Sequence, residues 1–157
     1  MKRIAILTSI HKPVIDAVKA LNNCIVEVFS APDFDKKDYD LVIGINYSGD
    51  FDGINSHYSL LPAFDGEDEI KQAFLAGVKV TGITFYYTNP FKIIAQYPVF
   101  IKSTSHYDDT EREIEYIEQV LYPIIIEKIL NNEQFEIQDL LKNGSCGNNC
   151  SSCGGCR

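Results

Sequence analysis

The stretch Ile54-Asn55-Ser56-His57-Tyr58-Ser59-Leu60-Leu61-Pro62-Ala63-Phe64 carries an amide and an imidazole two positions apart, Asn55 and His57. The apolar run Leu41-Val42-Ile43-Gly44-Ile45 precedes it and an amphipathic segment follows it. Successive strand side chains leave opposite faces, so a strand over 53–57 presents Asn55 and His57 on one face. A carboxamide beside an imidazole is a polarising pair: one donates to a developing oxyanion, the other donates or shuttles a proton. The same residues also suit a polar strand end that caps the following loop.

Outward from this stretch, the pattern alternates between strand and helix. Residues 3–8 read as a buried strand, and Pro13 opens a helix to about Leu21 with Val14, Ile15, Val18 and Leu21 at helical spacing. Cys24–Phe29 and Leu41–Ile45 are further strands; the latter is nearly all apolar, as a parallel strand covered on both faces should be. Glu67–Ala76 reads as a short helix stopped by Gly77, and Val78–Tyr87 as a strand ending in an Asn89-Pro90 turn. Ile93–Ile101 is then an antiparallel partner, with Pro98 at an edge or bulge. Thr110-x-x-Glu113 has the form of a capping box opening a helix to about Leu130. The alternation predicts an α/β domain with a mainly parallel sheet. Ligands in such sheets sit at the carboxyl ends of strands, where Asn55 and His57 fall.

The chain has 157 residues, which suits one domain over 1–132 followed by a linker and tail over 133–157. A net charge of −8 disfavours nucleic acid or an anionic membrane as partner and leaves small molecules. No apolar run is long enough to span a bilayer, and the one after Met1 is too short for a signal peptide, so a cytoplasmic location is expected. The edge strand near Pro98 and the aromatic run Phe85–Tyr87 offer a surface for a homodimer.

Asn55-x-His57-x-Ser59-Leu60-Leu61-Pro62, then Gly66, Gln72-Ala73, Gly77, Gly82-Ile83-Thr84, Ile93-Ile94-Ala95-Gln96, Asp109-Thr110, Glu118 and Leu121-Tyr122-Pro123 resemble the folate-dependent formyltransferase family. The resemblance is nearest to its purine-biosynthesis branch. It implies a Rossmann-like formyltransferase fold, reduced in size, with a mainly parallel sheet and helices on both faces. It also implies transfer of a formyl group from 10-formyltetrahydrofolate to an amine such as glycinamide ribonucleotide. By the same resemblance Asn55 and His57 are the catalytic amide and imidazole, and Leu60, Leu61, Pro62 and Tyr86 belong to the folate site. Besides the shortened region between the second strand and Asn55, two features depart from the family. Its aspartate precedes the Ile-Ile-Ala-Gln block, where this chain has Asn89 nearest, with Asp50, Asp52 and Asp65 as carboxylates that could replace it in space. Its glycine-rich phosphate loop corresponds to Thr8-Ser9-Ile10-His11-Lys12, which contains no glycine.

Four of the five cysteines, Cys146, Cys150, Cys153 and Cys156, lie close together near the C-terminus. Such spacing suits an iron–sulfur cluster or zinc, or else a tail of free thiols. The alternative to an enzyme is therefore a non-catalytic domain that binds a ligand or partner and carries a metal site for redox or metal transfer.

Overall fold

A computed structural model describes residues 1–133. Six strands, β1 (Lys2–Leu7), β2 (Cys24–Phe29), β3 (Leu41–Gly44), β4 (Ile54–His57), β5 (Val80–Thr88) and β6 (Phe91–Phe100), form one sheet in the order β2-β1-β3-β4-β5-β6. The first four strands pair in parallel; β5 and β6 are antiparallel additions. Helices α1 (Pro13–Lys19), α2 (Glu69–Ala76) and α3 (Tyr107–Leu130) complete the α/β, Rossmann-like arrangement.

The expectation of helices on both faces needs correction. Apolar side chains of α1, α2 and α3 all belong to one cluster with Ile4, Ile6, Ile43 and Ile54. The opposite face, at Ala5, Leu7 and Val42, is covered by the rings of Phe29, Phe34, Tyr39, Tyr47 and Phe51. Only a short 3₁₀ turn, Lys36–Asp38, separates β2 from β3, and residues 45–53 link β3 to β4 without a helix. Large rings on these loops cover the area that a crossover helix would otherwise bury.

β6 is the edge strand, so Pro98 costs the sheet no interior hydrogen bond. Pro98 lies opposite Gly82, and a Cβ on Gly82 would stand 2.1 Å from the Tyr97 carbonyl oxygen. The irregularity in the β5–β6 register lies at Phe85/Tyr86 instead. Phe85 is fully buried against Tyr122, with ring centroids 5.0 Å apart, and is unavailable to a dimer surface. Helix α3 starts earlier than the expected capping box: the Asp109 carboxylate accepts the His106 N–H at 3.2 Å, and Thr110 is buried. Further along α3, the Tyr122 hydroxyl lies 2.7 Å from the Gly44 carbonyl and 3.0 Å from that of Ile54, pinning the seam between β3 and β4.

Candidate active site

Asn55 sits beside Gly44 of β3, and a Cβ on Gly44 would stand 2.5 Å from Asn55 Oδ1. The bare backbone lets the amide lie across β3 to the next loop. Its Oδ1 accepts the Tyr47 N–H at 3.2 Å, and Nδ2 donates to the Tyr47 carbonyl at 2.8 Å and to Tyr86 Oη at 3.1 Å. Both amide hydrogens are therefore engaged. Tyr86 is the cross-strand neighbour of Asn55. Burial raises the Tyr86 pKa against the opposing hydrogen bond from Asn55, and Asp65 and Glu69 raise it further. The phenol is therefore a neutral donor at neutral pH. Its oxygen accepts from Asn55, and its hydrogen meets no acceptor among the described residues.

His57 leaves the same face of β4 and is nearly buried. Its Nδ1 lies 3.2 Å from Glu69 Oε1, and its Nε2 lies 3.0 Å from the Phe64 carbonyl oxygen. Two acceptors flank the ring, so an N–H on either nitrogen finds a partner. Glu69 opens α2, where the helix dipole favours a carboxylate, and Ile70 and Ala73 anchor that helix in the core.

Glu69 is thus the carboxylate that the fold places beside His57, a neighbour the sequence did not reveal. Asn89 does not occupy that place. It is exposed in the β5–β6 turn, five positions beyond Thr84, the cross-strand partner of His57. At the rise of a strand that is about 17 Å away, toward the amino end of β4. Asp50 is exposed and Asp52 pairs with Lys36, whereas Asp65 lines a cleft with His57.

The loop after β4 is held by the motif residues themselves. Ser59 Oγ donates to the Ala63 carbonyl at 2.6 Å. Thr84 Oγ1 accepts the Leu61 N–H at 3.0 Å and donates to the Ser59 carbonyl at 2.7 Å, while Gln96 donates to the Leu61 carbonyl at 2.9 Å. This lock fixes Phe64 and Glu69 around the imidazole.

His57 forms part of two clefts. One, of about 350 Å³, opens among the carboxyl ends of the parallel strands and includes Lys12, Tyr47, Glu67, Glu69 and Glu111. The other, of about 330 Å³, is lined by His57, Leu61, Pro62, Asp65, Tyr86 and Phe91. Leu61, Pro62 and Tyr86 are thus placed together as expected. Leu60 points instead onto Gly82.

The other face of β4 carries a closed polar cluster. Ser56 Oγ and Tyr58 Oη donate to the two oxygens of Glu118, the latter at 2.7 Å. Lys12 Nζ donates to Tyr58 Oη at 2.9 Å and to Glu115 at 2.7 Å. Burial pushes the Glu118 carboxyl up to about 7 against the hydrogen bonds from Ser56 and Tyr58 and the charge of Lys12.

Among the described residues no group of three or more His, Cys, Asp or Glu is placed to hold a metal, and no helix is long and apolar enough to cross a membrane. The iron–sulfur or zinc site expected at Cys146, Cys150, Cys153 and Cys156 lies outside the described residues.

A mostly parallel sheet with its polar pair at the carboxyl end of β4, and two clefts meeting at one histidine, is an α/β fold with a candidate ligand site at its strand ends. The formyl transferase family model matches residues 38–126, more than half the chain, and the protein belongs to that family. Phosphoribosylglycinamide formyltransferase of Bacillus subtilis (strain 168) is 45% identical over 83 residues, covering 49% of this chain and 42% of its own length. Mitochondrial formyltetrahydrofolate deformylase 2 of Arabidopsis thaliana is 53% identical over 36 residues, 23% of this chain and 11% of its own. The chain thus spans less than half the length of these relatives. Glycinamide ribonucleotide transformylase 1 from Geobacillus kaustophilus superposes with a TM-score of 0.64 at 25% identity, over 83% of this chain and 99% of that one. A protein described as a likely sugar N-formyltransferase, Rv3404c from Mycobacterium tuberculosis, has a TM-score of 0.66 at 19% identity, over 84% and 69% of the two chains.

Proposed function

We propose that the protein binds 10-formyltetrahydrofolate in the cleft of Leu61, Pro62 and Tyr86 and passes its formyl group to an amine in the adjoining cleft. The observation that carries this reading is the position of His57, which belongs to both clefts and has Glu69 3.2 Å from its Nδ1. Glycinamide ribonucleotide is the acceptor that the resemblance implies.

The folate cleft fits such a group: Leu61, Pro62 and Phe91 supply apolar walls, and the Tyr86 hydroxyl offers an unclaimed hydrogen to a carbonyl oxygen. When bound, 10-formyltetrahydrofolate supplies a formyl carbon to the amine nitrogen; its own carbon–nitrogen bond breaks, and one proton passes from the amine to the nitrogen released. Tyr86 donates to the formyl oxygen as negative charge grows there. Asn55 acts through Tyr86, fixing the phenol by its 3.1 Å hydrogen bond. A donor preorganised in this way lowers a barrier by roughly 3–4 kcal/mol. His57 moves the proton, exchanging its Phe64 carbonyl for substrate, while Glu69 orients the ring and balances its charge.

Calorimetry of a stable 10-formyltetrahydrofolate analogue with the full chain tests this reading. Binding that weakens about tenfold or more in His57→Ala is expected. No detectable binding at high micromolar concentration overturns it. One observation favours a second reading, binding without turnover: both ring nitrogens of His57 and both amide hydrogens of Asn55 already have protein partners. Analogue binding without release of tetrahydrofolate from the natural donor would select that reading.

A further inference from the structure

We infer that the cleft between the β1–α1 loop, β4 and α3 takes an amine that carries no phosphate and binds as its ammonium form, one proton leaving to solvent before the nitrogen attacks. The inference rests on the proposed transfer at His57 and names the substrate class on its amine side. The site is the His57 cleft itself; its charges and donors decide what it can hold.

The side chains around this cleft include Glu67, Asp68, Glu69 and Glu111, and its lysine is Lys12. That cation is already committed. Lys12 Nζ donates to Glu115 at 2.7 Å and to Tyr58 at 2.9 Å, lies 4.6 Å from the centroid of the Tyr58 ring, and has a side chain only 9% exposed. Withdrawing it toward a phosphate would strip the neighbouring acids of their counter-charge. His57 is likewise held by Glu69.

The backbone of the β1–α1 loop is partly engaged. Thr8 Oγ1 donates to the Ile10 carbonyl at 2.7 Å and lies 3.4 Å from the Ile10 nitrogen, so the β1–α1 loop closes on its own side chain. Pro13, at the first position of α1, has no N–H, and the Ile15 N–H is bonded to the Lys12 carbonyl at 3.0 Å. A dianion here would meet four carboxylates and one lysine that is already paired with Glu115.

An ammonium group meets the reverse. Glu67 and Asp68 are exposed at the rim, Glu111 is partly buried deeper in, and the rings of Tyr47 and Tyr107 supply aromatic surface. The Tyr107 hydroxyl registers the same field: its pKa is raised by burial first and then by Glu111, Asp68, Glu69 and Asp108.

The test is calorimetry on the full chain, saturated with the folate analogue, using amines matched with and without phosphate. The pairs are glycinamide riboside with glycinamide ribonucleotide, and glucosamine with glucosamine 6-phosphate. The unphosphorylated member of at least one pair is expected to bind about tenfold tighter than its phosphate. Glu67→Lys/Asp68→Lys, which alters only exposed rim positions, should erase that preference while circular dichroism stays unchanged. Tighter binding of either phosphorylated member overturns the inference, as does failure of both unphosphorylated amines to bind at millimolar concentration. Analogue binding measured alone separates the two failures: if it is intact, only the amine class falls; if it is absent, formyl transfer falls with it.

Discussion

Four consecutive residues, 55–58, send their side chains alternately into two environments that treat polarity in opposite ways. Ser56 and Tyr58 face α3 and end on Glu118, a carboxyl sealed from water and satisfied by their two hydroxyls. On the other side His57 lines both clefts and Asn55 reaches them only through Tyr86; their partners, Tyr86 and Glu69, border open space. One face spends its polar groups on holding the chain together; the other keeps a phenol hydrogen and an imidazole edge within reach of a ligand. Each face pairs the strand with a carboxylate, so an acid near the motif does not by itself mark the chemistry. Access to solvent does.

The largest effect should come from the closed face. Glu118→Ala leaves the Ser56 and Tyr58 hydroxyls buried without their acceptor and opens a cavity in a sealed cluster; a loss of about 3–5 kcal/mol in urea unfolding is expected. Glu118 also carries a pH signature. Its pKa is about 7 in the folded chain against an ordinary 4.5, so between those values the folded state keeps a proton that the unfolded state has released. Its contribution is complete below the unfolded value and declines by roughly 3 kcal/mol as pH rises through the folded one. Glu118→Gln does not titrate. The wild-type urea midpoint should therefore fall relative to that variant between about pH 5 and about pH 7.5; parallel pH profiles would assign the buried cluster another charge state.

The open face should show the converse, a large effect on rate with little on stability. Tyr86→Phe removes one hydrogen-bond donor from a half-buried ring. A drop of about a hundredfold in formyl transfer is expected, with the urea midpoint nearly unchanged. An equal loss in analogue affinity and turnover would make Tyr86 a binding contact rather than a donor to the oxyanion.

Gly44→Ala joins the two faces, because Gly44 receives Tyr122 from the helix side and lies beneath Asn55 on the cleft side. A methyl 2.5 Å from Asn55 Oδ1 must push the amide off the Tyr47 backbone. A destabilisation of about 1–3 kcal/mol should accompany loss of the Tyr86 contribution. Combining it with Tyr86→Phe should therefore add little further loss of rate, which a double-mutant cycle can measure.

The strand alternation was legible because a period of two needs only neighbouring residues, and it placed Asn55 and His57 on one face. The Leu-Leu-Pro loop was legible as a block, although Leu60 turned inward onto Gly82 while its neighbours lined the cleft. The partners were not legible. Glu118 lies 62 residues from Ser56, and only the packing of α3 across the sheet joins them. Glu69 stood at the start of a recognisable helix, but its approach to His57 depends on a loop closed by Ser59, Thr84 and Gln96 from three different segments. The missing helix on the second face was hidden for a related reason: Phe34, Tyr39, Tyr47 and Phe51 carry no periodicity, yet their rings converge on Ala5, Leu7 and Val42.

The smallest effect should come from Asn89, where order along the chain and position in space disagree most. Reading the family pattern along the chain brings Asn89 nearest to the vacant acid, because it precedes Ile93-Ile94-Ala95-Gln96. The antiparallel pairing reverses that proximity. From Thr84, opposite His57, β5 runs toward the amino end of β4, so the remaining residues of β5 after Tyr86 move away from His57, and only Phe91 of β6 returns to a cleft wall. Asn89 is exposed at the turn, and about 17 Å of strand separates it from the imidazole. An uncharged amide orients a ring only by a direct hydrogen bond, which that distance does not allow. Asn89→Ala should leave analogue binding and transfer within about twofold and stability within about 0.5 kcal/mol. Glu69→Gln, which keeps the shape but loses the charge 3.2 Å from Nδ1, should reduce transfer by at least about tenfold. If the two variants exchanged their effects, the acid would have to reach His57 from the hairpin, and the β4–β5 register that separates the two faces of the site would be wrong.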